Sequence, residues 1–201
     1  MGFSAPTHEL EYAAQIDVIK RVQSFVIDRF PHRPGIPEYL PREPKDLVAA
    51  GAGLCFDRSR FIEKLLKFHG FETRHVFVIF LDSGGLDGDD GVFRALTRRG
   101  TESHALTEVR TRRGWLLVGS NSKWISLSRD GEPVGLKGLK KYFRDESSAP
   151  AWIKRPFVAM IGLYSRRGQF YPPFLVGPEL NYKEVLSGFS ESGEHPDESE
   201  H

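Results

Sequence analysis

Apolar residues recur at helical spacing near the start of the chain. Leu10, Ala13, Ile16, Ile19 (with Val18 beside it), Val22, Phe25 and Val26 fall on one face, which predicts an amphipathic helix over 8–30. Thr7 is placed to cap it, with Glu9 and Glu11 near the positive end of the helix dipole. Pro31 stops the helix, and the proline-rich run 30–44 suits neither helix nor central strand, so it is expected to wrap as an extended loop. Residues 45–53 predict a short helical turn ending at its glycines. From Cys55 to His69 a second helix follows, with Phe61, Ile62, Leu65 and Leu66 as its apolar stripe. Arg58, Arg60, Glu63, Lys64 and Lys67 are assigned to its other faces, and Gly70 to the C′ position.

After residue 71 the period changes. Residues 71–81 are rich in β-branched and aromatic side chains and predict a strand; 103–111, a turn at Gly114 and 115–127 predict a strand–turn–strand unit. Between them, 82–102 is a loop rich in Gly and Asp. An Asp-Gly turn opens the segment from Arg129, which is expected to end in a short helix near Lys140 and Lys141. The stretch from Arg155 predicts another strand, then a turn at Arg166-Arg167-Gly168. Helices first and strands later point to an α+β fold with an antiparallel sheet. At 201 residues the chain suits one domain, assigned to 1–186, followed by an acidic tail, 187–201, that is expected to be disordered.

Charge adds little. The tail carries five acids and no Lys or Arg, leaving the remainder mildly basic within an overall net charge of +1. The basic clusters sit beside turns without interleaved aromatics, so no nucleic-acid partner is expected. No apolar stretch approaches a membrane span and no signal-peptide pattern opens the chain, so a cytoplasmic protein without a membrane partner is expected. Asp87, Asp89 and Asp90 lack EF-hand spacing, and one cysteine rules out a multi-cysteine metal site; neither metal nor cofactor is expected. Oligomeric state is not legible.

The chemistry concentrates on the single cysteine. Cys55 falls in the first turn of a helix, where exposed N–H dipoles favour thiolate over thiol, and the preceding glycines would let a substrate backbone approach. Such a nucleophile needs a base. His69 lies at the far end of the same helix, about 20 Å away. His8, His195 and His201 are near the termini, His75 is early in the next strand, and His32 sits in the proline-rich loop with no assigned place. His104 opens a strand and is followed, after a turn, by a second strand able to supply an orienting group.

Gly53-Leu54-Cys55, Leu65-Leu66, Gly70-Phe71, Arg74-His75-Val76, His104-Ala105-Leu106-Thr107-Glu108-Val109 and Gly114-Trp115 occur in an order that resembles the transglutaminase-like branch of the papain-like cysteine enzymes. The resemblance spans about residues 50–125. It implies a Cys-bearing helix packed on an antiparallel sheet that carries the histidine and, four residues beyond the tryptophan, an aspartate. Here that position is Gly119. Read as a continuing strand, Asn121 would face the same side as residue 119 and Ser120 the other. Cys55, His104 and Asn121 are therefore the expected catalytic residues, Asn121 accepting a hydrogen bond from the imidazole. Arg74 is expected to pair with Glu108. The implied function is cysteine-dependent amide hydrolysis through a thioester, with a peptide or other amide as substrate. Amine transfer is one alternative. Arylamine N-acetyltransferases share the architecture, but their Arg-Gly-Gly lead-in is replaced here by Ala50-Gly51-Ala52-Gly53. A binding domain that lost its third residue is the other alternative.

Overall fold

The computed structural model describes residues 10–37, 42–81, 102–139, 150–151, 157–164 and 179–180. Helix α1 runs Tyr12–Arg29, α2 Pro44–Ala50 and α3 Cys55–Phe68. Strands β1 (Thr73–Phe80), β2 (Ser103–Thr111), β3 (Gly114–Val118) and β4 (Phe157–Ile161) form one antiparallel sheet in the order β3-β2-β1-β4. A two-stranded ribbon pairs β5 (Leu163–Tyr164) with β6 (Glu179–Leu180). This is the expected α+β architecture. Thr7, the 82–101 loop, Lys140 and Lys141, the Arg166-Arg167 turn and the acidic tail lie outside the described residues. No described helix is long and apolar enough to cross a membrane.

The helices form because their apolar stripes have a sheet to cover. Ile16, Ile19, Val22 and Val26 of α1 and Ile62 and Leu66 of α3 meet Val109, Leu116 and Val118 in one core. The opposite face of the sheet buries Val76, Val78, Leu106 and Leu117 against Leu139. Two sequence expectations fail at this level. Phe25 belongs to the periodic set of α1 but is 54% exposed. In α3 the polar faces are solvated only at Lys64 and Lys67, whereas Asp57, Arg58, Ser59, Arg60 and Glu63 are all buried. The segment before α2 supplies Arg42 to Asp57, Glu43 at the start of α2 pairs with Arg60, and Lys67 of α3 itself pairs with Glu63.

The helix boundaries follow local chemistry. Gly51, at φ 67°, ends α2 in the left-handed region that a side chain disfavours. Gly70, at φ 84°, ends α3 in a Schellman arrangement: Phe71 N–H donates to the Leu66 carbonyl and Gly70 N–H to that of Lys67. The chain is thereby turned directly into β1. At the other end Asp57 reaches back to accept the Leu54 N–H at 2.8 Å, which fixes where the helix begins.

Candidate active site

Cys55 is the first residue of α3. Its position against the sheet is set by a hydroxyl clasp one turn along. Ser59 Oγ and Thr107 Oγ1 are 3.1 Å apart, and Thr107 Oγ1 also donates to the Ser59 carbonyl at 2.9 Å. This registers α3 on β2 and brings Ala105 beside the Cys55 thiol, where its backbone N–H, with those of Phe56 and Cys55, favours the thiolate. His104 immediately precedes Ala105. The sheet thus delivers the histidine to the same end of α3 as the cysteine.

Of the glycines before Cys55, Gly53 serves packing. A Cβ on Gly53 would stand 2.5 Å from Leu47 Cδ1 and 2.8 Å from Asp57 Cβ, so only glycine lets the segment pass between α2 and α3. It also pairs with His32 in an isolated parallel bridge. The expected open approach for a substrate backbone is therefore replaced, at Gly53, by protein. The same bridge answers where His32 goes. It sits on the rim, exposed, and close enough to interact electrostatically with Asp57, Arg58 and His104. Nothing in a proline-rich loop announces such a contact, since it depends on non-local pairing.

The region after Trp115 departs from the expected strand. β3 ends at Val118, and 119–124 form a tight turn closed by Gly119 N–H donating to the Trp124 carbonyl at 2.9 Å. Gln23 of α1, 1% exposed, holds this turn from inside. Its Nε2 lies 2.9, 3.1 and 2.6 Å from the carbonyls of Gly119, Ser122 and Trp124. A Cβ at Gly119 would meet the Ser122 and Trp124 carbonyl oxygens at 2.9 and 3.0 Å, so this backbone has no room for an aspartate there. The turn instead brings Asn121 to His104, with Nδ2 3.5 Å from the imidazole Nδ1, near the outer limit of a hydrogen bond. Ser120 turns toward β2, donating to the Ala105 carbonyl at 2.7 Å. Asn121 and His104 thus meet at the end of β2 where Ala105 lies beside Cys55, although Asn121 arrives by a turn and not along a strand.

Electrostatics differ from a preformed thiolate–imidazolium pair. Burial pushes the Cys55 thiol up to about 11, despite opposing backbone N–H bonds from Ala105 and Phe56. Burial likewise pushes His104 down to about 4, assisted by the positive charges of His32 and Arg58. The helix terminus therefore loses to desolvation, and both groups rest neutral near pH 7. Asp57, raised by burial, is ion-paired to Arg42 through contacts of 3.0 and 2.8 Å. Arg74 and Glu108 meet at 2.6 Å, as the sequence suggested; the guanidinium lies over Trp115, and Glu108 also accepts the Leu136 N–H at 2.7 Å. This pair ties β1, β2 and the turn at Leu136–Gly138 together, away from the cysteine. No cluster of potential metal ligands occurs among the described residues.

Residues 7–125 match the family model described as the transglutaminase-like superfamily, a span that takes in α1, α2, α3 and β1 to β3. Comparison with curated proteins yields no match, and neither does comparison with solved structures.

Proposed function

This chain belongs to the transglutaminase-like superfamily, a family built on cysteine chemistry, and from that premise we propose that it is a thiol-dependent amide hydrolase acting on a peptide or other amide. The observation that supports the reading is that Ala105, the residue after His104 on β2, lies beside the Cys55 thiol where α3 begins. Because thiol and imidazole both rest neutral, attack requires proton transfer from Sγ to His104 as the bond to the carbonyl forms. The imidazolium then protonates the leaving amine, giving a thioester and free amine. Water, deprotonated by His104, resolves the thioester and restores the thiol. Backbone N–H groups at the start of α3 are positioned to receive developing oxyanion charge.

Asn121 orients His104 in this scheme. A ring acting as a base through Nε2 must carry its proton on Nδ1, and that proton needs an acceptor. Rotating the Asn121 amide by half a turn presents Oδ1 to Nδ1–H at the same site. The test is acylation of Cys55 by an activated ester, followed by intact mass spectrometry and amine release from a panel of amides. A Cys55 adduct that water discharges is expected, with His104→Ala slowing its formation by about a hundredfold or more. Product accumulating only when an amine is added would establish transfer. Failure of Cys55 to acylate would remove the enzymatic reading.

A non-catalytic binding domain is the second reading, favoured by Gly119, whose clamped backbone excludes the family's aspartate. It predicts no acyl adduct under any of these conditions.

A further inference from the structure

Four arginines are buried among the described residues: Arg42, Arg58, Arg60 and Arg74. Three are compensated, Arg42 by Asp57, Arg60 by Glu43 and Arg74 by Glu108. Arg58 is not. It is 2% exposed, and its Nε is buried without a hydrogen-bond partner. Its sequence neighbour cannot serve it, since both Asp57 oxygens are taken by Arg42 and one also accepts the Leu54 N–H. The groups it feels are Cys55, His32 and His104.

Cys55 and Arg58 stand three positions apart on one helix, which puts their Cβ atoms about 5–6 Å apart on the same face. An arginine stays charged at any working pH, and an enclosed charge without a counterion is costly to maintain. A planar fork of N–H donors is matched by the two oxygens of a carboxylate. We infer that Arg58 is the anion-recognition residue of this site, pairing with a carboxylate that the substrate carries about one residue from the carbonyl Cys55 attacks. The inference rests on the reading of Cys55 as the nucleophile. It narrows the substrate class to amides beside a carboxylate, such as the peptide bond nearest a free chain end.

Cys55 is the only cysteine, so alkylation reports on this thiol alone. Iodoacetate and iodoacetamide are similar in size and differ in a carboxylate against a neutral amide; a free thiolate reacts faster with the neutral reagent. The expected result is an iodoacetate-to-iodoacetamide rate ratio well above that of free cysteine. That ratio should fall about tenfold or more in Arg58→Met, the loss of one charge-assisted contact, and less in Arg58→Lys. Acetate should protect the wild-type thiol and not that of Arg58→Met. Arg58→Met should keep or raise the thermal midpoint, because it removes an uncompensated buried charge. A wild-type ratio equal to that of free cysteine, or one unmoved in both variants, overturns the inference; so does a midpoint drop with the ratio unchanged. Failure of the nucleophile reading is distinct: Cys55 would refuse the activated ester while the alkylation ratio kept its dependence on Arg58.

Discussion

Gln23 and Trp124 are joined by the shortest of three contacts from one side-chain amide, 2.6 Å from Nε2 to the carbonyl oxygen, across 101 residues of sequence. This clamp, made from a helix that carries no reacting group, shapes the turn that brings Asn121 to His104. Gln23→Leu keeps the volume but strips the donors from three carbonyls. It is expected to destabilise the fold by about 2 kcal/mol or more in urea denaturation. Acylation of Cys55 should slow as well, because the turn is no longer fixed. A stable variant with unaltered acylation would show the clamp to be dispensable.

Gly119 and Asn121 give opposed predictions for restoring a carboxylate. Gly119→Asp forces a side chain against the Ser122 and Trp124 carbonyls, and should cost about 1–3 kcal/mol by overpacking without raising activity. Asn121→Asp places the carboxylate where the amide already meets Nδ1, and should retain or increase the acylation rate. Asn121→Ala should lower it by about ten- to a thousandfold with little change in the urea midpoint. An activity gain in Gly119→Asp would refute this assignment.

Arg74 and Glu108 form a pair enclosed on all sides, with side-chain exposures of 3% and 0%. Glu108→Gln leaves Arg74 charged and buried beside Trp115 and weakens acceptance of the Leu136 N–H. Breaking such a pair by removing one charge costs about 3–5 kcal/mol. Glu72→Gln removes the partner of Arg110 in a pair more than half exposed on both sides, where about 0–1 kcal/mol is expected. Chemical denaturation of the two variants should separate them clearly.

What was legible in the sequence was periodic or local. The three helices, the strands from Thr73, Ser103 and Gly114, and the glycine ends at Gly51 and Gly70 all follow from spacing and turn chemistry. Cys55 and His104 are legible as candidate site residues through the ordered family motifs. What escaped depends on partners distant in the chain. Arg58, Arg60 and Glu63 resemble a solvated face until Glu43 and the neighbouring segments enclose them. His32 reaches the site only through its bridge to Gly53. Gln23 has the look of an ordinary polar helix residue, and its three carbonyl partners lie about a hundred positions away. Asn121 lies three residues beyond the end of β3, and the turn that places it beside His104 is held by Gln23.

Two buried histidines set the response to acid. Burial holds both His75 and His104 down to about 4 in the folded chain, against an ordinary value of 6.5. Depressed folded values mean that the unfolded chain binds protons first. Their stabilising contribution is complete above pH 6.5 and is lost as pH falls toward 4, at up to about 1.4 kcal/mol per pH unit for each histidine. Urea midpoints measured from pH 7 to pH 4.5 should therefore fall steeply on acidification. His75→Phe, which preserves stacking on Tyr164, should remove about half of that slope. A slope unaffected by both His75→Phe and His104→Gln would place the acid response elsewhere.

The same burial separates two ways of reacting at Cys55. Alkylation of the free protein by iodoacetamide draws on the thiolate, which is scarce below the thiol's value of about 11. Its rate should rise about tenfold per pH unit from pH 7 to pH 10, with no plateau near 8.5, the value of an ordinary cysteine. Acylation by an activated ester uses His104 as the base during attack, and the imidazole stays unprotonated down to about 4. That rate should be nearly flat between pH 6 and pH 8, and in His104→Ala it should acquire the steep dependence of alkylation. A preformed ion pair would behave otherwise, with rapid alkylation at pH 6 that His104→Ala abolishes. Measuring both reactions on one preparation decides whether proton transfer accompanies attack or precedes it.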